Sequence, residues 1–172
     1  MATREALQAW DPASTRPAVT PPLSIHHAIH PHLRHWLLGL LAARAGEADA
    51  VAEEAEALAE LEIPAGEDVL IERLARTLEA ERLRLQGDPA AALAALEGAR
   101  ADLWFQYVVA SPVHAGGYER FLRAELLEAV GREREAAAWL GAIAERSPYE
   151  LVFREPARRR REGLLKGLRG ER

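Results

Sequence analysis

The chain has 172 residues, nearly half of them apolar and 28% charged, a balance that excludes wholesale disorder. It contains no cysteine, so disulfides, thiolate catalysis and sulfur-ligated zinc are excluded. A net charge of -5 gives no global attraction to nucleic acid or an anionic membrane, and alanine and leucine in place of aromatics (6%) favour helices over strands.

Residues 1–24 carry Pro12, Pro17, Pro21 and Pro22, which fix their own φ and restrict the residues before them, so an extended arm is expected. Thr3 to Trp10 is at most a short helical piece, marginal unless docked, with Trp10 as its anchor. No basic n-region followed by an apolar stretch appears there, and no apolar run approaches the ~20 residues that cross a bilayer, so a cytoplasmic protein is expected.

Residues 25–172 read as one helical domain. Leu33, Trp36, Leu37, Leu40 and Leu41 define a helix face that ends at Gly46. Val51, Ala55, Leu58 and Leu61 define the returning face, closed by Pro64 and Gly66. A longer helix from about Asp68 to Gln86 turns at Gly87. Asp88 is placed to cap the next helix, with Pro89 as its first residue and Arg100 near its end. A third hairpin runs from Tyr118, turns at Gly131 and returns to Arg146. Pro156 is expected to open a final basic helix that ends near Leu168.

The turn glycines Gly46, Gly87, Gly131 and Gly170 lie 41, 44 and 39 residues apart, a period that means stacked helical units. The run Phe121 to Gly131, followed by Ala136, Leu140, Ile143 and Pro148, resembles a tetratricopeptide repeat. Ala80, Leu83, Gly87, Ala92, Leu96 and Ala99 repeat the pattern more faintly, as do Leu38, Gly39, Gly46 and Val51. The stretch from Ser147 through Pro156 to Gly163 is similar to helical regions of bacterial regulators and signalling proteins. The resemblance implies an all-α fold: an α-solenoid of about three antiparallel hairpins plus a C-terminal capping helix. It also implies Ala124 facing Ala136, and a concave face that binds a peptide or protein. The spacing exceeds the family's usual ~34 residues, so longer helices or linkers are implied, and generic α-solenoid packing stays open.

Three groups of residues invite a chemical reading. His26, His30, His32 and His35 have spacings that could ligate a metal or a tetrapyrrole, although Pro31 interrupts the run and no carboxylate lies within it. The structural alternative is a helix start that faces solvent or a partner. Arg158, Arg159, Arg160 and Arg161 sit in a C-terminal stretch of net charge +5. They could hold nucleic acid or another polyanion, or simply face water and the acidic residues Glu47, Asp49, Glu53, Glu54 and Glu56. Trp104, Phe105, Tyr107 and Tyr118 surround a linker and, with Trp10, Trp36 and Trp139, form the preferred partner-binding set, or else plug gaps between hairpins.

The glutamates, spread over helix faces, read as solvated surface. No phosphate-binding glycine loop, His-Glu-x-x-His or Gly-x-Ser-x-Gly motif is present. The sequence therefore leads to a non-catalytic protein-binding module, an adaptor or accessory subunit with no cofactor.

Overall fold

The computed structural model describes residues 2–14, 28–98, 115–146 and 151–170. Among them are eight α-helices and no strand. Helix α1 (Ala2–Ala9) is followed by a 3-10 turn (Pro12–Ser14), then α2 (His30–Ala45), α3 (Ala48–Ala59), α4 (Asp68–Leu85) and α5 (Pro89–Gly98). After the linker come α6 (Gly117–Ala129), α7 (Glu133–Arg146) and α8 (Leu151–Leu168). They gather into two compact units, Met1–Ala101 and Asp102–Arg172.

The three hairpins close in the same way. Gly46, Gly87 and Gly131 adopt φ of 81°, 82° and 77°, the left-handed region that glycine alone enters without strain. Each glycine N–H, and that of the residue after it, donates back to the ending helix. The pairs are Gly46 to Ala43 with Glu47 to Ala42, Gly87 to Arg84 with Asp88 to Leu83, and Gly131 to Glu128 with Arg132 to Leu127. This pair of hydrogen bonds satisfies carbonyls that a helix end would otherwise leave open. The next helix then starts at once, and in the second hairpin Asp88 Oδ1 accepts from the Ala91 amide at 2.9 Å, as its capping position predicts.

In the first unit α2 rests against α3 and α4, and α4 also packs on α5. Val51, Leu58, Leu70, Leu74, Leu78 and Leu96 are all buried, each leucine contributing about 1.5–3 kcal/mol. Gly39 sets the approach of α2 to α4, because a Cβ there would stand 2.7 Å from Leu78 Cδ2. The solvated reading of the glutamates fails at Glu81, which is fully buried. It accepts from Arg84 Nε at 2.5 Å and faces Arg44 at 3.5 Å, while Arg84 Nη2 donates to the Ala43 carbonyl at 3.1 Å. Arg84, held by Glu81, thereby ties α4 to the negative end of the α2 dipole.

Two sequence expectations are corrected here. The arm is not extended over 2–14: α1 docks on α2, and the Arg34 guanidinium donates to the Leu7 and Gln8 carbonyls at 3.0 and 2.9 Å. Arg4 adds an ion pair to Glu47 at 2.6 Å. Tertiary contact thus supplies what an eight-residue helix lacks in isolation. The remainder of the arm lies outside the described residues.

The last helix opens at Leu151 rather than at Pro156, which sits inside it. Pro156 forgoes a single backbone bond near the helix start. The second unit offsets this loss by burying Ala157 with Ala124, Leu140 and Ile143 in one cluster, against which Phe121, Trp139, Phe153 and Leu164 pack. Ala124 and Ala136 are both fully buried.

Candidate functional site

The histidines that share a helical start do not share a partner. His26 lies outside the described residues. His30 is the first residue of α2, and its ring packs on Trp10, with centroids 5.4 Å apart and planes at 56°. His35 Nδ1 meets Glu54 Oε2 of α3 at 2.8 Å. That carboxylate comes from 19 residues away, so local spacing held no sign of it. His32 turns inward: it is 1% exposed, and neither ring nitrogen has a hydrogen-bond partner. Burial, and secondarily the nearby His35, holds its pKa below the ordinary imidazole range, so the ring is neutral at pH 7. Pro31 takes one of the first two helical positions, where its missing N–H is not needed. Among the described residues no group of three or more histidine, aspartate or glutamate side chains converges as a metal ion requires.

The four consecutive arginines divide by helix face. Arg160 reaches Glu125 at 2.8 Å and Glu128 at 2.7 Å, both on α6. The acids that engage Arg160 are therefore these two, not the expected Glu47 to Glu56 surface. Arg161 lies over Gly141 of α7, where an added Cβ would come within 3.1 Å of the guanidinium carbon. Arg158 and Arg159 remain exposed and share Glu155 within their own helix. Half of the proposed polyanion cluster is thus engaged in holding α8 against its neighbours.

The aromatic set also divides. Trp36 is 4% exposed and belongs to the core, a correction to its place in a binding patch. Trp139 packs on the core of the second unit, with the Arg123 guanidinium 5.1 Å from its ring centroid. Trp104, Phe105 and Tyr107 lie outside the described residues. Tyr118 meets the ring of Phe153 edge-on at 6.1 Å, and Phe121 lies 5.4 Å from the same ring. All three rings are half-buried, whereas Val152 is 81% exposed on the first turn of α8.

Sequence reading missed Val152 and Phe153, because Pro156 placed the helix start after them. It also missed Ile63 and Val69, 52% and 44% exposed at the α3–α4 connection. Their exposure follows from tertiary packing, which hydrophobicity alone does not report. Compared with protein-family models, curated proteins and solved structures, the chain matches none of them.

Proposed function

We propose that this chain is a non-catalytic protein-binding module, an adaptor or accessory subunit built from tetratricopeptide-like helical hairpins. The repeated glycine turns and the close approach at Gly39 support the hairpin reading. The single observation that carries the functional reading is that large apolar side chains stand exposed, Ile63 with Val69 at the α3–α4 connection and Val152 on the first turn of α8. Apolar and aromatic side chains grouped at a surface are the usual anchors of protein contacts, whereas isolated apolar residues signify nothing. The polar candidates support it as well: His35, Arg160 and Arg161 are committed to contacts inside the fold.

A photo-crosslinking side chain at position 152 or 63 tests the proposal in extract of the native cell, with the exposed position 133 as control. Protein adducts are expected at 152 or 63 and not at 133. A chain that forms no adduct at either position, or equal adducts at all three, overturns the reading.

A further inference from the structure

Acidic and basic residues are segregated along this chain. Between Arg44 and Arg73 stand ten acidic residues and no lysine or arginine. Glu47, Glu54 and Glu72 are matched by Arg4, His35 and Arg76. Asp49, Glu53, Glu56 and Glu60 are spaced by four, three and four residues, which places them on one line along the outer face of α3. All four are exposed, and no ion pair engages them among the described residues. In sequence the acidic run continues through the exposed Glu62 and Ile63 to Glu67, Asp68 and the exposed Val69 at the start of α4. Acidic crowding at this corner is felt by Glu67, whose carboxyl is held above its usual range first by burial and then by Asp68.

Helix α8 is the opposite in sign. At 100° per residue, Val152, Arg159 and Lys166 fall on one line, with Pro156 and Gly163 beside them and Arg158 and Arg169 at the edge. All seven are exposed. Glu155 and Glu162 are the only acids on that face. The inner face is occupied by Phe153, Ala157 and Leu164, and among the described residues of its own unit no neighbour covers this outer face. The units follow the same division: residues 1–101 hold 16 acidic and nine basic residues, whereas 102–172 hold 11 and 13.

We infer that these two faces are the halves of a self-association interface, in which α8 of one copy docks on the α3–α4 corner of a second copy. The inference rests on the protein-binding reading and names a second copy as the occupant of both apolar positions. Opposite charge orients the encounter, and Val152 against Ile63 and Val69 supplies the dehydrated centre. Proline and glycine on the α8 face add no long side chains that would hold the helices apart. Because the pairs are solvent-exposed they are individually weak and screened by salt, so association is concentration-dependent and salt-sensitive. The two faces are unlike, so the contact joins copies head to tail.

Sedimentation and light scattering on the full chain test this, using wild type and two charge-reversed variants, Glu60→Arg with Glu62→Arg and Arg159→Glu with Lys166→Glu. Every substituted position is exposed, and unchanged circular dichroism verifies the fold. Wild type is expected to exceed the monomer mass in about 20 mM salt and to return to it in about 0.5 M salt. Each variant alone should associate at least ~10-fold more weakly, and an equimolar mixture of the two should recover the wild-type mass, because the unaltered α8 of one then meets the unaltered corner of the other and the two reversed faces attract each other. A wild type that stays monomeric at several hundred micromolar, or variants that associate as it does, overturns the inference. A monomeric chain that still cross-links to a different protein at position 63 or 152 overturns self-association while the protein-binding reading stands.

Discussion

His32 is the residue whose chemistry and surroundings disagree most. An imidazole with both nitrogens buried and unbonded forfeits hydration without recovering it, at a cost on the order of 1–3 kcal/mol. Burial lowers its pKa, so below the ordinary imidazole value the unfolded chain binds a proton that the folded chain refuses. Stability from this group is therefore full above pH ~6.5 and is lost as pH falls through that value toward the lower folded pKa. His32→Leu keeps an apolar side chain in the space and removes the titration. Thermal melts at about pH 7.5 and 5.5 should show a smaller acid-induced drop in Tm for the variant than for wild type, with the variant at least as stable at the higher pH. An identical drop in both assigns the acid sensitivity to other groups. In the sequence, the histidines suggested a ligand set. Only packing separates them, one toward Trp10, one into the core and one toward Glu54.

Among the helices, what local chemistry dictates was readable in advance. Glycine at a left-handed φ closes a hairpin through bonds between residues at most five apart, and Asp88 caps through a bond three residues away, so each signal lies inside a short window. The start of α8 and the docking site that sustains α1 were not readable, because each depends on a surface supplied by another part of the chain. Gly39 marks the boundary between these cases: its place in a repeat-like pattern was visible, but its reason, Leu78 at 2.7 Å from an added Cβ, belongs to a neighbouring helix. Gly39→Val should overpack this contact and cost about 1–3 kcal/mol in denaturant unfolding. Gly167→Ala, on α8 with no atom within 4 Å of its added Cβ, should instead gain up to ~1 kcal/mol from helix propensity. Equal shifts in the same direction would mean that Gly39 responds only through propensity and that α2 and α4 are not in close contact there.

For the molecule as a whole, two compact units with separate buried clusters mean that stability need not be shared evenly. Ala42, Ala43 and Val51 form a cluster in the first unit, and Ala124, Leu140, Ile143 and Ala157 form one in the second. The expectation of one helical domain over residues 25–172 came from chain length, which bounds the number of domains but carries no record of how hairpins pack. Leu140→Ala removes a fully buried side chain, which costs about 2–5 kcal/mol depending on how far the cavity closes. Hydrogen exchange followed by mass spectrometry then reads where that cost is felt. Amides of α6, α7 and α8 should lose protection, while those of α2 to α5 keep theirs. Loss spread across both units would instead mean one cooperative core, and surface charges could then not be altered in one unit without consequence for the other. If the loss is confined, the acidic corner and the basic helix are carried by independently stable supports, and each can be varied to probe contacts with a second copy while the other stays intact.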